Sequence, residues 1–315
     1  MQAVILAGGK GTRLRPLTRQ QPKPLVPLLE IPFLHWMVER CCQVGVDSIV
    51  ISLGYRGDQI KDFLGDGSAW GIPIQLIQES TPLDTAGALV LARPYFTKDP
   101  LLVFNADILT DLDLRAVMDY HRATGSQATL TLTRVADITA YGLVELNVQG
   151  KIQSFREKPS PAEAQLITTN TINAGTYVLD PAIFDAYQPG DPLSFERQVF
   201  PQLLGRGGQM QGYIHEGYWR DLGNPASYYQ GQLDILLGNM TDFPLVDVEQ
   251  PQPGIWIHRT AQVAAEASLS SPCYVGSHTV VGARAVVPAG TIIAGDSWVD
   301  GRIAPGAYGQ GTLLV

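Results

Sequence analysis

At 315 residues, the chain has room for one large domain and a small one, or for two domains. Its 22 basic and 30 acidic residues leave a net charge of −8, which argues against a general nucleic-acid binder and leaves any anionic substrate to a local basic patch. A hydrophobic content of 45% is that of an ordinary globular protein, and no apolar run approaches the roughly 20 residues of a membrane span.

The first predicted element is a buried strand, the apolar run Ala3-Val4-Ile5-Leu6. It follows Met1-Gln2 directly, so no secretory leader is expected. The strand runs into Leu6-Ala7-Gly8-Gly9-Lys10-Gly11-Thr12-Arg13-Leu14-Arg15-Pro16-Leu17-Thr18, followed by Pro22-Lys23-Pro24. A glycine-rich loop at the carboxyl end of a strand is where open α/β sheets bind ligands. Gly8, Gly9 and Gly11 let backbone N–H groups turn toward such a ligand. Lys10, Arg13, Arg15, Arg19 and Lys23 add five positive charges before the first acidic residue, Glu30. Glycines with clustered cations suit a polyphosphate. The P-loop spacing Gly-x4-Gly-Lys-Ser/Thr is absent, and a dinucleotide fingerprint would need glycine or alanine where Leu14 stands.

Helical spacing predicts a helix over residues 32–44, then a strand over 48–52, a short helix over 59–64 and a third strand over 72–77. A small-residue helix is expected over 85–91, a buried strand over 101–104 ending in Asn105-Ala106-Asp107, and a helix over 112–121. Strands alternating with helices predict a parallel, three-layer sheet. From residue 127 the pattern changes to alternating strands over 129–133, 143–146 and 152–155, with another strand over 171–179 and a helix over 226–237. Residues 241–254 hold three prolines and no clear period, which predicts a linker. Beyond it Ile257, Val263, Leu269, Val275, Val281, Val287, Ile293 and Val299 recur at every sixth position. That hexapeptide period is the mark of a parallel β-helix, here a little under three coils long. Cys41 and Cys42 are adjacent on one helix and Cys273 is distant, so neither a bridge nor a metal spacing is expected, and reduced thiols in the cytoplasm are.

The stretch from Leu6 to Pro24 resembles the signature of the sugar-nucleotide pyrophosphorylases, nucleotidyltransferases that act on sugar 1-phosphates. Asn105-Ala106-Asp107, Tyr141-Gly142, Glu157-Lys158-Pro159, Ile172-Asn173-Ala174-Gly175 and Trp219-Arg220-Asp221-Leu222-Gly223 extend the resemblance, which covers residues 1–236. It implies an α/β protein: a Rossmann-like mixed-sheet nucleotidyltransferase domain over 1–240, then the linker 241–254. Over 255–315 the hexads resemble the left-handed β-helix family, so a short left-handed parallel β-helix with a tail is expected there. Leu6, Ala7, Gly8, Gly9, Gly11, Thr12, Arg13, Lys23, Gln78, Glu79, Asp84 and Gly87 would form the nucleotide side. Asp107, Gly142, Glu157, Lys158 and Asn173 would form the sugar side. Arg13 and Lys23 would neutralise the triphosphate and Lys158 the sugar phosphate, as the three catalytic cations. Asp107 and Asp221, which taken alone read as a turn residue and a surface charge, would hold Mg2+. Ser194-Phe195-Glu196-Arg197 matches a further family segment, read as structural.

One position departs from the family, which usually carries glycine where this chain has Asp84. Read from the residues, Asp84 caps the helix that follows it. Alternatively Asp84 or Glu79 faces the base. Guanine presents two adjacent N–H donors, which a carboxylate accepts in parallel, whereas uracil and thymine present one donor between two acceptors. The overall pattern most resembles mannose-1-phosphate guanylyltransferases, with a nucleoside triphosphate and a sugar 1-phosphate as substrates. The alternatives are a glucose-1-phosphate thymidylyl- or uridylyltransferase and a catalytically silent regulatory subunit that senses nucleotide-sugar. An acyltransferase built on the β-helix around His278 is disfavoured, because so few coils leave little room for an acyl carrier. Exposed coil ends invite pairing, so a homo-oligomer is expected, with no nucleic-acid or membrane partner.

Overall fold

The computed structural model describes residues 1–160 and 169–314. Its first part is built on a nine-stranded sheet. The strands are β1 (Gln2–Ala7), β2 (Ser48–Leu53), β3 (Ile74–Gln78), β4 (Leu101–Asn105), β6 (Ala128–Arg134), β7 (Gly142–Leu146), β8 (Ile152–Glu157), β9 (Thr171–Leu179) and β10 (Met210–Ile214). A separate antiparallel ribbon joins β5 (Ile108–Thr110) to β11 (Trp219–Asp221). The sheet order is β8-β7-β9-β4-β1-β2-β3, with β6 against β9 and β10 against β6. β4, β1, β2 and β3 are parallel, and β9 runs antiparallel to β4.

Side chains of β1 alternate across the sheet, as strand geometry requires. Ala3, Ile5 and Ala7 pack on one side with α1 (Phe33–Gln43), α4 (Leu114–Thr124) and α6 (Pro225–Leu236). Val4 packs on the other with α3 (Asp84–Ala92) and α5 (Phe200–Gly205). Both faces are therefore dry, which is why the inner strands read as unbroken apolar runs. The remaining helix, α2 (Gly57–Leu64), follows β2.

β9 changes partners along its length. Thr176–Leu179 pair with β4, while Ile172 pairs with β7 on the same edge. The register against β6 shifts between Asn173 and Tyr177. Gly175 sits in that irregularity at φ +78, where a Cβ would stand 2.9 Å from the Asn105 side-chain nitrogen. The sheet thus forks at the carboxyl end of β4, where Asn105, Ala106 and Asp107 follow.

The hexad residues do what their spacing predicts. Parallel strands stack at 18-residue intervals, Ile255 on Cys273 on Thr291 and Gln262 on Val280 on Trp298. Val275, Val281, Val287, Ile293 and Val299 point inward and are fully buried. Two expectations need correction. The linker is not all linker: Val248–Gln252 form a strand antiparallel to Ile255–His258. Pro251 is tolerated there because an edge strand leaves N–H groups unpaired. The solenoid also runs past the hexads, because Gly306 stacks on Thr291 and Leu313 on Trp298 through a coil of 15 residues. The third coil is thereby completed and a fourth begun.

The two parts interlock. The Glu30 carboxylate accepts hydrogen bonds from Tyr274 Oη (2.8 Å), Ser277 N–H (2.9 Å), Ser277 Oγ (2.8 Å) and Gly295 N–H (3.0 Å). A Cβ at Gly276 or Gly295 would collide with that carboxylate, at 2.8 and 2.5 Å. Trp256 Nε1 donates to the Leu236 carbonyl at 3.0 Å, and Tyr229 Oη donates to the Gly290 carbonyl. Tyr274 and Ile292 complete a core shared with Trp36, Met240 and Phe243. Among the described residues, no helix is long and apolar enough to cross a membrane.

Candidate active site

Two clefts meet at the fork. The first, about 310 Å³, is lined by Leu6, Ala7, Gly8 and Gly9 of the glycine loop, by Lys23 and Pro24, and by Glu79, Pro82, Asp84, Thr85 and Ala88. The second, about 160 Å³, is lined by Arg13, Tyr141, Gly142, Lys158, Asn173, Glu196, Trp219 and Asp221. Asn105 and Asp107 belong to both, so the end of β4 is a common wall.

The parallel register Leu6↔Asn105 sets the glycine loop beside that wall. Gly11, at φ +58, turns the chain back, and Thr18 Oγ1 ties the turn by donating to its carbonyl at 2.7 Å. Lys23 then reaches across: Nζ lies 2.6 Å from Asp107 Oδ2, with 13% of the lysine side chain exposed. The ribbon register Asp221↔Ile108 brings Asp221 alongside. Asp221 Oδ1 is buried and, among the described residues, the one such side-chain atom with no hydrogen-bond partner. Burial first, then the Asp107 charge, push the Asp221 carboxyl above the usual carboxylate range, and Lys23 and Arg13 pull it back. Gly223 keeps the approach open, since a Cβ there would stand 2.8 Å from Asp221 Oδ1 and 2.9 Å from the Arg13 guanidinium.

On the second cleft, Asn173 is fixed at both ends. Its Nδ2 donates to Tyr177 Oη at 2.9 Å and its Oδ1 accepts from Gly175 N–H at 3.1 Å. Lys158 has φ +45, and its N–H donates to the Tyr141 carbonyl at 3.1 Å. Tyr141 stands edge-on to Trp219, with ring centroids 5.4 Å apart.

Most residues expected at the site come together, but several do not reach the cleft walls. Gln78 Nε2 donates to the Leu53 carbonyl at 3.2 Å and is absent from both linings. Gly87 is buried in α3, where a Cβ would meet the Asp191 carbonyl oxygen at 2.8 Å, so it serves helix packing. Gly11 and Thr12 shape the loop behind the first cleft without lining it. Glu157 ends β8, and its side chain lies outside the described residues. Asp84 is not the helix cap that its residue type predicts. Leu83 holds the N-cap position, and Asp84 opens α3 at φ +61, a left-handed conformation that favours glycine. Its Oδ1 accepts from Thr85 N–H at 2.8 Å and its Oδ2 pairs with Arg197.

Sequence reasoning gave no binding role to Asn105, Glu196 or Trp219, all in the second lining. Glu196 reaches the cleft because Ser194 Oγ donates to its Oε2 at 2.8 Å. The signal was present in Asn105-Ala106-Asp107 and in Ser194-Phe195-Glu196-Arg197, but strand-end direction and helix pitch were needed to read it.

A glycine loop, convergent cations and facing carboxylates at the carboxyl edge of a parallel sheet define an α/β enzyme that works on nucleotide phosphates. A family model described as nucleotidyl transferase matches residues 2–237, and the chain belongs to that family. It is 35% identical over 304 residues to the mannose-1-phosphate guanylyltransferase of Mycobacterium tuberculosis, covering 96% of this chain and 80% of the relative. It is 37% identical over 235 residues to the mannose-1-phosphate guanylyltransferase catalytic subunit beta of Xenopus tropicalis. That match covers 73% of this chain and 63% of the relative, less than two thirds of its length. Among solved structures, HddC of Yersinia pseudotuberculosis, also solved complexed with GMP-PN, superposes with TM-score 0.62 at 31% identity over 73% of this chain and 97% of that one. A putative glucose-1-phosphate thymidylyltransferase from Bacillus anthracis gives TM-score 0.66 at 25% identity, over 74% and 94%.

Proposed function

We propose that this chain transfers a nucleotidyl group from a nucleoside triphosphate to a sugar 1-phosphate, with GTP and mannose 1-phosphate as the pair and GDP-mannose and pyrophosphate as the products. The observation that carries the reading is the wall shared by the two clefts, with the unpartnered Asp221 oxygen beside Asp107. A phosphate monoester in the second cleft would lie against the α-phosphate of a triphosphate in the first. Its oxygen attacks the α-phosphorus in line. The bond from that phosphorus to the α,β-bridging oxygen breaks, and pyrophosphate leaves. The attacking phosphate is already ionised at pH 7, so no general base is required. Lys23 neutralises the triphosphate and the leaving group; Arg13, expected on the nucleotide side, lines the second cleft with Lys158, and the two hold the incoming phosphate. These are positioning and charge effects, which dominate phosphoryl-type transfers.

Asp107 and Asp221 fit a hard divalent cation. The orphaned, partly desolvated oxygen of Asp221 faces a second carboxylate, and such ions complete their shell with phosphate oxygens and water. Mg2+ there would offset charge on the α-phosphate. Free thiols at Cys41, Cys42 and Cys273 support a reducing, cytoplasmic compartment. The open end of the β-helix keeps a homo-oligomer within this reading, and sedimentation equilibrium reads it.

The test is pyrophosphate release with Mg2+, four nucleoside triphosphates crossed with mannose, glucose and N-acetylglucosamine 1-phosphates. Release with GTP and mannose 1-phosphate is expected. Release instead with thymidine or uridine triphosphate and glucose 1-phosphate would favour the chemistry named for the Bacillus anthracis neighbour. Silence from the folded chain would refute catalysis on these substrates.

A further inference from the structure

We propose that the β-helix is a working part of the transfer site, with Glu30 as a positioning residue that aims Lys23 through a stiff arm of backbone; this rests on the nucleotidyl-transfer reading above. Lys23 and Glu30 belong to one segment, in which Pro22, Pro24, Pro27 and Pro32 each fix the backbone φ. A short antiparallel hairpin, Pro27–Leu28 against Ile31–Pro32, turns that arm at Leu29-Glu30. Leu29 and Glu30 have φ +45 and +72, the left-handed conformation that two-residue turns usually give to Asn-Gly. Other residues keep that conformation where surrounding contacts hold them in it.

Such contacts come from two directions. From α6, Gln232 Oε1 accepts from Leu29 N–H at 3.1 Å, and Tyr228 Oη donates to the Pro27 carbonyl. From the β-helix, two coils close on the Glu30 carboxylate through Tyr274, Ser277 and Gly295. The other end of the arm stands in the first cleft, where Lys23 forms part of the wall and its ammonium lies 2.6 Å from Asp107 Oδ2. Glu30 itself lies outside both cleft linings, so any effect it has on the substrates passes through the arm. A tie to any other part of the sheet would join the two parts of the chain equally well. Its place at the tip of the arm that carries Lys23 points to a role in transfer. A charge-neutralising group loses its effect steeply when displaced. An arm released at its tip therefore aims Lys23 less well at the leaving pyrophosphate.

The test compares the full chain with Glu30→Ala and with Val287→Ala, a truncation in the buried core of the β-helix, at a temperature where circular dichroism shows all three folded. Calorimetric binding of inorganic pyrophosphate with Mg2+ is expected to weaken about tenfold in Glu30→Ala and to hold in Val287→Ala. Equal affinity in Glu30→Ala and the parent, or the same loss in Val287→Ala, would overturn the proposal. In steady-state kinetics kcat/KM for the nucleotide should fall about tenfold in Glu30→Ala with the KM for sugar 1-phosphate unmoved, since Lys158 is not on the arm. A rise confined to the sugar 1-phosphate KM would refute it. A double-variant cycle tests the route. Once Lys23→Ala is in place, Glu30→Ala is expected to weaken pyrophosphate no further, and additive losses rule the route out. If Glu30→Ala does not fold, Tyr274→Phe removes one donor from the β-helix side and should weaken pyrophosphate about twofold, no change again counting against the brace. Failure of the transfer reading is a separate outcome: no pyrophosphate released from any substrate pair, with pyrophosphate binding still ranking these variants.

Discussion

Replacing Glu30 by alanine probes how firmly the β-helix is tied to the sheet. The carboxylate gathers four hydrogen bonds, two of them from backbone N–H groups of separate coils. A bond to a charged group contributes about 1.5–3 kcal/mol, and desolvation of the carboxylate takes back a large part of the sum. A net loss of about 3 kcal/mol follows for Glu30→Ala. Glu30 has φ +72, and alanine bears the same backbone cost there, so the comparison isolates the side chain. For a chain of this size about 2 °C of melting temperature goes with each kcal/mol, giving a drop of about 6 °C. Thermal melting followed by tryptophan fluorescence is a suitable assay, because Trp36 and Trp256 both lie at the junction. Glu30→Gln sets an amide N–H2 against donors that need an acceptor and should recover little. A Glu30→Ala protein melting within about 1 °C of the parent would refute the reasoning and show the carboxylate to be dispensable.

Asp221→Asn removes a buried charge that Asp107 opposes, so the variant should melt a few degrees higher at pH 7 while pyrophosphate release falls at least about 100-fold. The sign follows from the raised Asp221 carboxyl: the folded form holds the proton more tightly, so the parent loses stability as pH rises from the usual carboxylate value through the raised one. The gap between variant and parent should therefore close in acid, and equal melting at pH 7 would count against a buried, repelled carboxylate. Lys158→Ala is expected to raise the KM for sugar 1-phosphate about tenfold or more with the KM for nucleotide unmoved, since Lys158 lines only the second cleft. Gly8→Ala should displace Glu79 and weaken GTP binding about tenfold in a protein of unchanged circular dichroism, given the 2.3 Å approach.

What could be read in the sequence was whatever depends on neighbours along the chain. The hexads give the β-helix because each inward residue recurs on the same face, and the glycine loop gives the first cleft because it directly follows a strand. Asp221 was found as a motif residue, yet its partnerless oxygen arises from β11 pairing with β5, a contact across more than 100 positions. The fork in β9 was hidden for a similar reason: residues 171–179 read as one strand whatever pairs with them. Proline spacing suggested a continuous linker, but Pro251 sits in an edge strand at the register shift between Glu249 and Gln252, where it has no pairing partner. Asp84 was misread because residue type favours a cap, whereas Leu83 holds the N-cap position without a side-chain cap and the Asp84 carboxylate is taken up by Thr85 N–H and Arg197.

The partner change along β9 separates two kinds of evolutionary freedom. Its β4-bound half belongs to the scaffold of the wall the two clefts share, and its Asn173 half adjoins the second cleft, which Gly142 and Lys158 also line. Under the proposed function, substitutions around the second cleft would retune which hydroxyl pattern is accepted while backbone pairing keeps the two clefts at a fixed spacing.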